Sequence, residues 1–275
     1  MVKILAAITT PFGPDGGLAL DAFEAHIRWL EEEGLDGLFV AGTTGEGVLL
    51  EHEEVEALAE RAAAAAGSLR VIAQVGRPST RATVELARRA LAAGAHGVAA
   101  YVPWFYPVTP DQVRAHFLAL LEGADGAPAF IYNIPPRTVN DLSPELAGEL
   151  ARAGFAGMKD STGDAARYDA YLDAVRDVDG FELYTGTEPN LVAAARAGGT
   201  GSINGLSNCR PELFVALRDA LASGDGVEPL HEEISALKAQ VKSEPSTVLA
   251  IKARVRERLA ERGVDYPAAA RAPFV

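Results

Sequence analysis

The sequence predicts an α/β fold of the (β/α)8 TIM-barrel class with a carboxy-terminal helical extension, and three observations carry that prediction. Short apolar or β-branched runs alternate with longer stretches in which Ala, Leu, Glu and Arg recur at helical spacing. The count of such units closes at eight within residues 1–225, close to the roughly 250 residues of a typical barrel of this kind. The rival, a doubly wound open sheet, ordinarily carries a G-x-G-x-x-G turn after its first strand, whereas this chain has TTPFGPDGG at 9–17.

The eight strands are expected at 3–9, 37–41, 70–75, 97–102, 129–133, 157–160, 182–185 and 201–204. Helices are expected between and after them at 21–33, 51–66, 79–93, 110–122, 143–153, 164–177, 188–197 and 211–222. Asp21, Asp111 and Ser143 stand where a side-chain oxygen can cap a helix start, and Gly34, Gly67, Gly94, Gly154 and Gly198 stand where helices end. Residues 226–262 read as two further amphipathic helices separated near SEPS at 243–246. The expected division is a catalytic barrel at 1–225 and a helical extension at 226–275.

Composition removes several function classes. The 25 Lys and Arg residues against 38 Asp and Glu give a net charge of −13, which repels a nucleic-acid backbone. Cys209 is the single cysteine, so an intrachain disulfide and Cys-based metal ribbons are excluded. The chain starts MVKILAAI without the pattern of a cleaved leader, and no apolar run reaches the roughly 20 residues of a membrane span. A cytoplasmic protein without membrane or nucleic-acid partners is expected. His26, His52, His96, His116 and His231 are scattered without an HExxH pattern, so no metal is expected, and no G-x-S-x-G elbow is present.

In a barrel of this class the reacting groups gather at the carboxyl ends of the strands. Strand 2 ends in GTTGEG at 42–47, where backbone N–H groups and the hydroxyls of Thr43 and Thr44 can receive a small carboxylate; the same run also serves as a simple glycine turn. Strand 5 ends in IYNIPPRT at 131–138. There Tyr132 is either a proton-passing phenol or a core tyrosine, and Arg137 either a carboxylate clamp in a proline-stiffened loop or a surface arginine. Strand 6 reads GMKDST at 157–162 and carries Lys159, one of only five lysines. A strand lysine that points inward loses solvation, which favours the uncharged amine needed for a Schiff base; one that points outward is an ordinary charge, here beside Asp160. Strands 7 and 8 end in the small runs YTGTE at 184–188 and GSING at 201–205.

Taken together, GTTGEG at 42–47, YNIPPRT at 132–138, GMKDSTGD at 157–164 and GSINGLSN at 201–208 resemble, in order and spacing, the dihydrodipicolinate synthase / N-acetylneuraminate lyase family over nearly the whole chain. The resemblance implies a (β/α)8 barrel with a carboxy-terminal helical extension, a homotetramer or dimer, and a Schiff base between the strand-6 lysine and pyruvate, with no metal and no separate cofactor. It implies that Lys159 is the Schiff-base lysine, Tyr132 the acid/base tyrosine, Thr43 and Thr44 the carboxylate-holding pair with Thr44 in the proton relay, and Arg137 the receiver of a second carboxylate. Gly186 and Ile203 match backbone positions lining the pyruvyl pocket.

One departure stands out. Where the family commonly carries a second tyrosine after strand 4 that completes a relay in a neighbouring subunit, PWFYP at 103–107 places Phe105, with Tyr106 one position later as the only substitute the run offers. That loss, and the wording of the strand-6 and strand-8 motifs, resemble the 2-keto-3-deoxy-sugar-acid aldolases. The expected activity is therefore C–C bond cleavage or formation between pyruvate and an aldehyde, with a 2-keto-3-deoxy sugar acid as the leading substrate. Condensation of pyruvate with aspartate semialdehyde is the alternative, favoured by Arg137. A Schiff-base dehydratase and a non-catalytic 2-oxo-acid binder stand behind it.

Overall fold

The computed structural model describes residues 2–274. Met1, with which the leaderless start is read, and Val275, the end of the expected extension, lie outside the described residues. Eight parallel strands close into a barrel in chain order, β1 pairing with both β2 and β8. They are β1 (Lys3–Ala6), β2 (Gly37–Val40), β3 (Arg70–Gln74), β4 (Gly97–Tyr101), β5 (Ala129–Asn133), β6 (Gly157–Asp160), β7 (Glu182–Thr185) and β8 (Gly201–Asn204).

The helices are α1 (Leu20–Glu32), α2 (His52–Ala65), α3 (Thr80–Ala92), α4 (Pro110–Gly123), the single turn α5 (Pro135–Thr138), α6 (Pro144–Arg152), α7 (Ala165–Val175), α8 (Leu191–Arg196), α9 (Pro211–Ser223), α10 (Val227–Ser243) and α11 (Thr247–Ala260). The last two follow the barrel; α10 packs on α9, and α11 packs on α10.

The differences from the sequence reading lie at element ends and in short added turns such as α5. The first strand stops at Ala6 rather than residue 9, although Ala7 and Ile8 still donate to the carbonyls of Asn204 and Phe39; Thr9 N–H turns to the Asn208 side chain. The second stops at Val40 because Ala41 adopts φ 55°. The helix expected at 188–197 is a 3-10 turn, Glu188–Asn190, followed by the short α8.

Ser143 caps α6 through Leu146 N–H, but Asp21 and Asp111 lie inside first turns. The true start of α1, Ala19, has no side-chain cap, and α4 begins with Thr109 and Gln112 in a reciprocal capping box ahead of Pro110. There the proline at the first helical position sets the boundary one residue before it. Helices α3 and α6 both run into a glycine with positive φ, Gly94 at 101° and Gly154 at 116°, conformations that a Cβ would oppose.

Two cores result from the period-2 alternation of the strands. Side chains such as Ile4, Val40, Val71, Ala100, Ile131 and Met158 meet the helical layer. Their neighbours, including Leu5, Phe39, Ile72, Phe130, Tyr184 and Ile203, fill the barrel. Nearly all strand positions are buried on both faces, which is why β2, β4 and β5 read as continuous apolar runs rather than alternating ones.

Two buried histidines tie stability to pH. His26, on α1, donates from Nε2 to the Asn208 carbonyl at 3.0 Å while its Nδ1 is buried without a partner, and burial pushes its pKa down to about 4. Burial does the same to His116 on α4, whose Nδ1 lies 2.9 Å from Thr80 Oγ1, again to about 4. Below the ordinary value of 6.5 the unfolded chain takes up protons that the folded chain refuses, so each histidine's contribution is complete above pH 6.5 and lost as pH falls toward 4. The full window is worth roughly 3 kcal/mol per histidine. Urea unfolding should show a lower midpoint at pH 5 than at pH 7.5; equal midpoints would contradict it.

Candidate active site

Alternation along β6 decides which way the lysine faces. Met158 joins the outer core, so Lys159 points into the barrel, in register between Tyr132 on β5 and Tyr184 on β7. Its Nζ lies 4.2 Å from the centre of the Tyr132 ring and 4.7 Å from that of Phe39, and the residue is 5% exposed. Among the described residues it has no ion-pair partner within 4.0 Å. Asp160, the neighbour that could have paired with it, is turned to the side chains of Asn133 and Thr162, and burial pushes its carboxyl above the ordinary range against those hydrogen bonds.

Space for the amine is left by Gly186, after β7, whose N–H donates to the Asp160 carbonyl at 2.6 Å. A Cβ there would stand 2.0 Å from Ser161 Oγ and 3.0 Å from Lys159 Cε. Ile203 is buried in the barrel filling on β8.

The run 42–47 folds as a tight turn leading to a 3-10 segment, Gly47–Leu49, before α2 begins. Gly47 approaches Ala41 so closely that a Cβ would lie 1.6 Å from its carbonyl oxygen, and Gly47 N–H donates to Gly42 at 3.0 Å. This turn holds Thr43 over the barrel. Thr43 Oγ1 is 3.2 Å from the Tyr132 hydroxyl and 3.3 Å from that of Tyr101.

The sequence reading put Thr44 in the relay; the structure gives the contact with Tyr132 to Thr43 instead. Thr44 Oγ1 faces the end of β8, where a Cβ on Gly205 would be 3.2 Å away, because successive residues of the turn point in different directions.

Within this single chain Tyr106 stands apart from Thr43. Its ring is 70% exposed and packs edge-on against Phe105, whose φ of 77° holds it equally far out, and Tyr106 forms no hydrogen bond to Thr43. Tyr101, at the end of β4, was not singled out by sequence reasoning: an aromatic closing an apolar strand reads as core, and only the register Tyr101↔Tyr132 brings the two phenols side by side. Their rings stack with centres 4.8 Å apart.

Above these groups opens a cavity of about 530 Å3. Its lining includes Thr43, Tyr101, Trp104, Arg137 and, from the carboxy-terminal part, Ser246 and Phe274. Lys159 is not among the lining residues; contact runs from the cavity through Thr43 to Tyr132 and then to the amine. Arg137 sits in the turn α5 rather than in a loop, and among the described residues no carboxylate lies within 4.0 Å of its guanidinium. Trp104 Nε1 is buried and unpartnered, a second donor beside the cavity.

The arrangement brings an amine, a phenol and a hydroxyl together beneath a cavity that carries a guanidinium. Among the described residues no cluster of three or more His, Cys, Asp or Glu side chains could hold a metal ion, and no helix is long and apolar enough to cross a membrane.

Comparison with known proteins points the same way. The model of the dihydrodipicolinate synthetase family matches residues 1–275. A 4-hydroxy-tetrahydrodipicolinate synthase of Nitrosomonas eutropha is 38% identical over 222 residues, spanning 80% of this chain and 75% of that protein, and further relatives at 33–36% identity bear the same name. Among solved structures, YagE of E. coli K12, a dihydrodipicolinic acid synthase family protein in complex with pyruvate, is similar with a TM-score of 0.93 at 26% identity, over 100% of this chain and 93% of that one. The KD(P)G aldolase of T. tenax is similar with a TM-score of 0.88 at 28% identity, over 99% and 92%.

Proposed function

The chain belongs to the dihydrodipicolinate synthetase family, whose members form a lysine Schiff base with pyruvate, and from that premise we propose that it condenses pyruvate with aspartate semialdehyde as a 4-hydroxy-tetrahydrodipicolinate synthase. The observation that carries the reading is the inward amine of Lys159 beside Tyr132, with the guanidinium of Arg137, which has no carboxylate partner among the described residues, at the cavity above. Lys159 Nζ adds to C2 of pyruvate and water leaves, giving an imine whose nitrogen draws electrons from C3. Loss of a C3 proton yields the enamine, which attacks the aldehyde carbon. Tyr132 delivers a proton to the forming alkoxide, a contribution typically on the order of 10²- to 10⁴-fold.

The turn bearing Thr43 and Thr44 supports binding of the pyruvate carboxylate, and Gly186 and Ile203 leave the floor apolar and close. Arg137 supports a second substrate that carries its own carboxylate, since a planar guanidinium pairs with such a group through two parallel hydrogen bonds.

The sequence reading preferred a 2-keto-3-deoxy sugar acid. The curated relatives favour the synthase instead, and the sugar-acid reading stays second on one specific observation, Phe105 in place of a phenol, together with the T. tenax likeness. Assembly into a homotetramer or dimer is also a proposal, supported by the exposed Phe105, Tyr106 and Val139 beside the barrel mouth, which a second copy would cover.

The discriminating measurement pairs pyruvate with aspartate semialdehyde, glyceraldehyde or N-acetylmannosamine at matched concentrations, on protein whose mass is read by light scattering. Fastest turnover with the semialdehyde is expected, and Arg137→Ala should raise its KM at least tenfold while leaving that for pyruvate nearly unchanged. Faster turnover with glyceraldehyde would transfer the assignment to the sugar-acid aldolases, and a monomeric mass would remove the assembly.

A further inference from the structure

Three hydroxyls and one amine stand in a row, Tyr101 on β4, Tyr132 on β5 and Lys159 on β6 with Thr43 supplied by the turn after β2, and the direction of that row is informative. Tyr132 faces Lys159, whereas Tyr101 lines the open cavity; Thr43 Oγ1 touches both phenols, at 3.2 and 3.3 Å. A threonine hydroxyl carries one proton and two lone pairs, so it can donate to one phenol while accepting from the other. An ordered chain of hydrogen bonds then connects cavity water to the reacting centre.

We propose that Tyr101 is the outer member of a proton relay, Tyr101–Thr43–Tyr132, that lies wholly within one chain and makes a phenol from a neighbouring copy unnecessary. The inference rests on the Schiff-base reading above and adds a positioning residue to it. Tyr101 acts through Thr43 rather than by touching substrate.

The alternatives within the chain do not reach. Phe105 has no hydroxyl, and Tyr106 packs against it in solvent. Burial pushes the Tyr101 phenol well above its ordinary range, with the neighbouring Tyr132 adding to the rise, while Thr43 and the guanidiniums of Arg77 and Arg137 pull the other way. The phenol therefore keeps its proton at neutral pH and can pass it on.

The bookkeeping of atoms closes. The C3–H bond of the imine breaks and its proton enters the chain at Tyr132, displacing the phenolic proton to Thr43, that of Thr43 to Tyr101 and that of Tyr101 to water. When the enamine attacks the aldehyde, the same transfers run backwards and form the product O–H bond. No electrons leave the substrate pair and no oxidant is needed.

The test uses the full chain with pyruvate in D2O, following loss of the methyl proton signal, which reports enamine formation without any aldehyde. Tyr101→Phe should slow this exchange about 10- to 100-fold, below the full range for a direct acid or base because the group acts at one remove. KM for pyruvate should change less than twofold, and borohydride should still attach a pyruvyl group to Lys159. Thr43→Val should slow exchange as well, and adding Tyr101→Phe to it should cost nothing more, since one broken link already interrupts the chain. Tyr106→Phe should leave exchange at the wild-type rate.

Wild-type exchange in Tyr101→Phe with intact trapping, or fully multiplicative losses in the double variant, would overturn the relay alone. Absence of both trapping and exchange in the wild type would overturn the Schiff-base reading and the relay with it. Normal trapping and exchange without any aldehyde turnover would sink only the proposed synthase, leaving the relay to be judged by the variants.

Discussion

Lys159→Ala should abolish turnover, with a loss on the order of 10⁴-fold or more, because removing the nucleophile of a covalent mechanism leaves only binding and polar stabilisation behind. Borohydride reduction in the presence of pyruvate should add a pyruvyl mass to wild-type protein on the peptide containing Lys159 and leave the alanine variant unmodified. The substitution should cost little structure: the Nζ has no ion-pair partner within 4.0 Å among the described residues, so no buried countercharge is stranded. What is lost is packing of the lysine stem and its cation–π contacts with Tyr132 and Phe39, the latter worth about 0.5 to 2 kcal/mol. Circular dichroism should therefore be unchanged and thermal unfolding only modestly shifted. Retained turnover, or trapping on a lysine other than Lys159, would falsify the assignment.

The orientation of that lysine shows how much of the site the sequence carried. Its place on a central strand narrowed the choice to inward or outward, and the burial of all four positions of that strand hid which. The barrel itself was legible because it is a matter of counting: eight apolar runs, each followed by a helical period, and a glycine near each helix end. The motifs at 42–47 and 132–138 were legible as turns at strand ends. Which of two adjacent threonines meets Tyr132 was not, because that depends on how Gly47 folds back onto Ala41, a contact set by backbone geometry.

Tyr101 was lost for a different reason. Its partner is 31 positions further on, across a strand pairing whose register no local pattern reveals. The capping errors were local: Asp21 and Asp111 have the right chemistry, but Thr109 ahead of Pro110 and an uncapped Ala19 take the positions. The contribution of residues 245–248 and 273–274 to the cavity is the longest-range feature and left no signature in the sequence.

A second tie between the barrel and the carboxy-terminal part makes Lys252→Met a strongly damaging substitution outside the active site. Glu46 belongs to the same turn as Thr43, and its carboxylate, with a side chain that is 0% exposed, is held by Lys252 of α11, also 0% exposed. The second Glu46 oxygen accepts the Arg271 backbone N–H at 2.8 Å, and Lys252 also donates to the Ala269 carbonyl at 2.8 Å. Burial pushes the Lys252 ammonium below its ordinary range while Glu46 pulls it back up.

One ion pair thus fastens the barrel turn to α11 and to the final segment. Removing the ammonium leaves a carboxylate sealed without a countercharge, which costs about 3–5 kcal/mol, whereas replacing both partners by apolar groups of similar size is commonly neutral or stabilising. Lys252→Met should therefore lower the urea midpoint strongly and, through the displaced turn, weaken pyruvate binding. Lys252→Met combined with Glu46→Leu should recover most of the stability. Binding should recover less, because leucine cannot accept the Arg271 backbone N–H that Glu46 holds, so the turn loses that tie to the final segment. Equal destabilisation by the single and double substitutions would show that the turn is held by packing rather than by paired charge.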